Sequence, residues 1–130
     1  MFYPIKMQKS ESINKQAAFI YWCITFGYMG VIFYLSSIRG LPFSIMHIDK
    51  IFHAGVYALL SILSYISFRK SGVRKHIFLI SFAFAVLYGI TDELHQFHVP
   101  GREASLGDVI ADAVGGFSGC SLAHLIIFRN

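Results

Sequence analysis

Six of the chain's seven acidic residues are Asp49, Asp92, Glu93, Glu103, Asp108 and Asp112, and four of its six histidines, His47, His53, His95 and His98, fall among them. Carboxylates and imidazoles gathered in this way can move protons, ligate a cation or grip a polar group. Asp49 and His53 are four residues apart, so on a helix they share a face, and Tyr57 extends that face by one turn. Asp92 reaches towards His95 and Gln96, and Glu93 towards Gln96. Asp108 and Asp112 again share one face. Asp92, Glu93 and His95 are the candidate acid/base groups. Asp49, Lys50, His53, Gln96, Arg102, Asp108 and Asp112 would complete a ligand-binding ring, with the Arg102 guanidinium as a bidentate anion clamp.

The charges do not balance. Six acids meet only the three bases Arg39, Lys50 and Arg102, which leaves a formal charge of −3 at these positions. An anion placed directly on so acidic a site is disfavoured. A divalent cation between the carboxylates and a phosphate would remove the conflict, because hard metals take oxygen ligands and bridge to phosphates. The spacings Asp49/His53 and Asp92/His95 suit Zn or Mn, although no HExxH or CxxC pattern is present. The structural alternative is that Lys50 and Arg102 clip Asp92, Glu93 and Asp108 together, while Ser105 and Asp108 cap a helix N-terminus. Ser36, Ser37 and Ser105 lie close by, but no nucleophile-elbow sequence surrounds them. His124 has no partner visible in the sequence.

The elements that carry these residues follow from composition. The chain has 130 residues, which makes one domain over 1–130; 55% are hydrophobic and only 14% charged, where a soluble domain carries about 25%. Mean hydropathy is +0.59. Disorder is excluded by the aromatic content, a disulfide framework by the two cysteines, and a small soluble globule by the apolar surface it would have to hide. The expected fold is all-α: an integral membrane bundle of four transmembrane helices at about 16–38, 47–68, 76–95 and 105–128. Each apolar run approaches the ~20 residues that cross a bilayer. The connections are short and contain Gly, two of them with Pro42 or Pro100, as turns require. The first run is too long for a signal-peptide core and is expected to stay as a helix.

Eight of the eleven basic residues (Lys6, Lys9, Lys15, Arg69, Lys70, Arg74, Lys75 and Arg129) fall on one side of these spans. The positive-inside rule then puts both termini in the cytoplasm and the acidic cluster outside, in a multi-pass protein of the cell membrane. The net charge of +4 is therefore a topology signal; no aromatic-interleaved basic patch points to nucleic acid. Cys23 and Cys120 are expected to pack as small hydrophobes, and Trp22 and the tyrosines to serve as interface anchors and packing. Gly115 and Gly119 form a GxxxG step that lets a neighbouring helix come close, in this chain or in a homo-oligomer.

The string Gly89-Ile90-Thr91-Asp92-Glu93-Leu94-His95-Gln96-Phe97, followed by Pro100-Gly101-Arg102 and Ser105-Leu106-Gly107-Asp108, resembles the VanZ-like family. Ser36-Ser37, the run Asp49-Lys50-Ile51-Phe52-His53 with Tyr57, and Gly115 with Gly119 fit the same pattern. That family is named for a membrane protein associated with resistance to the glycopeptide teicoplanin, so the resemblance implies a multi-span protein of the bacterial cell envelope. It implies no particular reaction. One departure is Asp112, where the family usually has Asn. Three functions fit the residues: a site that binds or processes the polar head group of a membrane lipid or envelope precursor, a non-catalytic acidic surface that interferes with antibiotic binding, and a small proton-coupled carrier using Glu93 and Asp112.

Overall fold

The computed structural model describes residues 5–38 and 46–128, with side chains for 14–38 and 48–127. Its elements are α1 (Ile5–Ser37), α2 (Met46–Lys70), α3 (Ile77–Phe97) and α4 (Leu106–Phe128), with no strand among the described residues. Within them Asn14–Ser37, Ile48–Lys70, Ile77–Phe97 and Leu106–Ile127 are long and apolar enough to cross a membrane.

Several ends differ from the sequence expectation for physical reasons. α1 starts at Ile5 because no Gly or Pro interrupts Ile5–Phe26. α2 runs on to Lys70, with Arg69 and Lys70 in its last turn and Asp49 in its first, each opposing the helix dipole. α3 begins one residue late, because His76 is its cap and sits in the left-handed region at φ 56°. It continues to Phe97, and the chain turns at Gly101, whose φ of 84° favours a residue without Cβ. The Ser105 hydroxyl accepts the Gly107 N–H at 3.1 Å, so the expected N-cap of α4 is present.

The helix α2 is the hub, packing on all three others, and its face on α4 is the most extensive. The GxxxG step explains that face. A Cβ built at Gly115 would stand 2.7 Å from the Ala54 Cα, and one at Gly119 would stand 2.8 Å from the Ala58 carbonyl carbon. The close approach of these glycines is therefore made to α2 of the same chain. α1 lies at the periphery, against α2 and, more lightly, α3, and makes no contact with α4 among the described residues.

The buried apolar residues form two clusters, one around Ile32, Tyr57, Leu60 and Ala85, the other around Tyr65, Ile77 and Ala123. Two half-buried tyrosines send their hydroxyls to main-chain acceptors: Tyr28 donates to Val56 O at 2.8 Å and Tyr88 to Met29 O at 2.6 Å. His124 finds its partner in the Tyr65 hydroxyl, 2.9 Å from Nδ1. Thr25 and Ser67 hydrogen-bond across α1 and α2 at 2.9 Å, and the Trp22 indole donates to Ser71 at 2.9 Å. Such small polar contacts join helices where lipid gives no hydrophobic drive between them. Large apolar side chains face outwards instead: Phe19, Leu79, Leu87, Phe97, Leu106 and Leu125 are all more than half exposed, which suits a lipid-facing surface and not a water-facing one. Cys120 is buried as expected, whereas Cys23 is exposed on α1.

Candidate functional site

The first turns of α2 and α4, the last turns of α3 and the end of α1 meet at one end of the bundle. There the chain encloses a cavity of about 670 Å³, lined by groups that include Ser36, Asp49, Lys50, His53, Tyr57, Asp92, Gln96, Arg102, Glu103 and Asp108. Seven of the ten residues singled out from the sequence as acid/base or ligand groups thus line one space. Burial is deep for such polar groups: His53, Asp92, Glu93, Gln96, Asp108 and Asp112 are each at most 7% exposed.

Each position has a local cause. Asp92 and Gln96 are four residues apart on α3, and the Gln96 amide donates to Asp92 Oδ2 at 3.0 Å. The other Asp92 oxygen accepts the Ser36 hydroxyl from α1. Lys50 pairs with Asp108 at 3.4 Å across α2 and α4. Gly107 makes room for this, since a Cβ there would fall 2.6 Å from the Lys50 Nζ. His53 stands at the centre: its Nδ1 is 2.8 Å from Asp112 Oδ1 and 4.0 Å from Glu93 Oε1, and its Nε2 is 3.7 Å from Asp49 Oδ1.

The capping arrangement at α4 was only half visible in the sequence. The Ser105 N–H donates to Glu93 Oε2 at 3.1 Å, so the acid that answers the cap comes from α3, not from Asp108. Gly89 was visible only as part of a string. A Cβ there would be 2.9 Å from Asp112 Oδ2 and 3.3 Å from the Tyr57 ring, so its bare backbone admits both side chains.

Two expected groupings do not form. Arg102 clips no carboxylate among the described residues. It lines the cavity, but its Nε donates to Ile38 O at 3.0 Å and its Nη2 to Leu35 O at 2.9 Å. It thereby adds a donor to main-chain carbonyls at the end of α1, where a helix runs short of intrahelical partners; Leu35 O also accepts the Ile38 N–H at 3.2 Å. His95 does not line the cavity with Asp92. It turns away from the cavity, with its Nε2 2.9 Å from the Ser37 hydroxyl and its ring stacked on Phe33 at 4.3 Å. Asp92, Glu93 and His95 therefore do not converge as one acid/base unit, and the Asp92/His95 pair is not a ligand pair. His98 holds Leu94 O at 2.8 Å and is exposed. Arg39 and the His47 side chain lie outside the described residues.

Three polar atoms in this region are buried without a hydrogen-bond partner: Tyr57 Oη, Glu93 Oε1 and Asp112 Oδ2. Buried polar atoms are normally paired, so each such orphan needs a physical account.

A family model described as VanZ/LLP1 matches residues 1–128. The chain belongs to the VanZ/LLP1 family. With four apolar spanning helices, this VanZ/LLP1 chain is a multi-pass membrane protein. No curated protein and no solved structure matches it.

Proposed function

We propose that this VanZ/LLP1 chain binds the polar head group of a membrane amphiphile, a lipid or an envelope precursor, in the cavity at the acidic end of the bundle. The observation that carries the reading is the cavity's graded wall. Ile32, Leu35, Phe52 and Val56 line it together with Lys50, Asp92, Gln96 and Arg102, so an apolar chain and a polar head group both find matching surface. Ligand sites commonly combine an apolar wall with a few convergent polar groups. Lys50, 41% exposed at its side chain, is the cation best placed to meet an incoming anionic group. The link to glycopeptide resistance rests on the family's name, and by this reading it would follow from engagement of envelope head groups.

The test is to reconstitute the chain with phosphatidylglycerol or phosphatidylcholine and count retained lipid by native mass spectrometry. Phosphatidylglycerol should be retained preferentially, and Lys50→Met should weaken retention about tenfold, the effect of losing roughly 1.4 kcal/mol from one charge-assisted contact. Equal retention of both lipids, unchanged in the variant, contradicts the reading.

The reading also places the acidic end outside the cell. Single cysteines at Ser71 and Ala104, in a background lacking Cys23 and Cys120, report this directly. Both sites are exposed, and neither has the positive φ that would strain a cysteine at Gly72 or Gly101. An impermeant thiol reagent should label Ala104→Cys in intact cells and spare Ser71→Cys. The reverse pattern would move the cavity to the cytoplasmic face.

A further inference from the structure

We infer that His53, Glu93 and Asp112 bind one divalent transition-metal ion of the Mn2+ or Zn2+ class. One ligand atom from each lies within 4.8 Å of the other two, and all three residues are buried. Ligands bonded at about 2.1 Å to a common ion stand about 3.0 Å apart at right angles and about 4.2 Å apart when opposed. The separations of His53 Nδ1 from Asp112 Oδ1, 2.8 Å, and from Glu93 Oε1, 4.0 Å, are close to those limits. The three helices α2, α3 and α4 thus bring one nitrogen and two carboxylates to the spacing of a coordination sphere.

A second observation points to a ligand. Glu93 Oε1, which faces His53 Nδ1, and Asp112 Oδ2 are buried without any hydrogen-bond donor. A proton on Nδ1 answers Asp112 Oδ1 alone. The nearby ammonium of Lys50 is engaged with Asp108. A divalent ion supplies positive charge to both carboxylates at once, and a neutral imidazole with two carboxylates carries the matching charge of −2. The imidazole favours Zn2+ and the two carboxylates suit Mn2+, whereas Ca2+ and Mg2+ take oxygen ligands.

The rest of the cluster fits a support role. Histidine ligands usually donate their second N–H to a carboxylate, and Asp49 Oδ1 is 3.7 Å from His53 Nε2. On this inference Asp49 is a positioning residue whose carboxylate closes from ion-pair to hydrogen-bond distance when the ring ligates the ion. His53 and Asp49 line the cavity, which gives an ion a way in. The three ligands are in place whether or not the cavity takes a lipid.

The experiment uses the full chain in detergent, stripped with a chelator and titrated with Mn2+ and with Zn2+ alone. Calorimetry and metal analysis should give one ion per chain. Glu93→Gln and Asp112→Asn should each abolish saturable binding, and the metal-free melting temperature of Glu93→Gln should stay at or above the parent's, since its Oε1 has no partner to lose. Asp49→Asn should weaken binding about tenfold to hundredfold, and Asp108→Asn should leave it within about twofold. Should a variant fail to fold, spin-echo modulation of bound Mn2+ in the parent protein tests the same site and should show a single imidazole nitrogen. Absence of saturable binding overturns the inference. So does parental affinity in Glu93→Gln, loss of binding in Asp108→Asn (which would mark the alternative group Asp49, His53 and Asp108), or a Mn2+ signal without nitrogen.

Discussion

Replacing Gly115 by alanine is expected to force α2 and α4 apart and to lower stability by about 3 kcal/mol, the upper end of typical overpacking costs. The added methyl would fall on the Ala54 backbone, 2.7 Å from its Cα. Backbone cannot rotate aside as a side chain does. The helices must separate, and the interface that opens is the most extensive of the bundle. The damage should reach the candidate site, because Lys50–Asp108 and His53–Asp112 span the same two helices. Reversible unfolding in mixed micelles gives the stability, and Gly116→Ala is the control, since its Cβ would meet only side-chain atoms at 3.6 Å or more. A Gly115→Ala protein within about 0.5 kcal/mol of the parent, the range of innocuous substitutions, would show that the two backbones are not in close contact.

His53→Leu is expected to cost about 3–5 kcal/mol, the loss seen when one partner of a buried charged pair is removed. Its ring is the only basic group beside Asp112 and Glu93 that the described residues provide within 4.0 Å. Leucine fills much of the space but leaves two carboxylates buried together. Adding Asp112→Asn should recover most of the loss, because the stranded carboxylate becomes a neutral amide of the same shape. A double-mutant cycle on the unfolding free energies isolates the coupling. Additive losses in the cycle would mean that His53 and Asp112 are neighbours without mutual dependence.

The first span was legible as a charge-free run of membrane length, and the other three as apolar runs whose charges sit only in their end turns; helical spacing put Asp49 with His53 and Asp92 with Gln96 on shared faces. The direction of His95 was not. Residues three and four places after Asp92 are both neighbours on a helix, yet Gln96 holds Asp92 while His95 rotates towards Phe33 and Ser37. Which of the two turns inwards depends on where α1 packs, and no periodicity encodes that. Arg102 was misplaced for a different reason. Its acceptors are main-chain carbonyls of Leu35 and Ile38, and a carbonyl has no residue-type signature. The Glu93–Ser105 contact likewise joins a side chain to a backbone N–H. His53–Asp112 was within reach of sequence reasoning only as part of a ring, because choosing Asp112 over Asp108 requires the depth at which α2 and α4 cross.

The peripheral seat of α1 has a consequence for biogenesis. Only 11% of its spanning window is buried inside the bundle, so most of its surface suits lipid before any partner exists. Made before the other three helices, it can wait in the bilayer without them. α4 cannot do so cheaply: Asp108 and Asp112 bring two carboxylates, each costing roughly 2.5–3.5 kcal/mol at membrane depth when unpaired. Their partners Lys50 and His53 lie on α2, which is synthesised earlier. The order of translation therefore places the bases in the membrane ahead of the acids that need them.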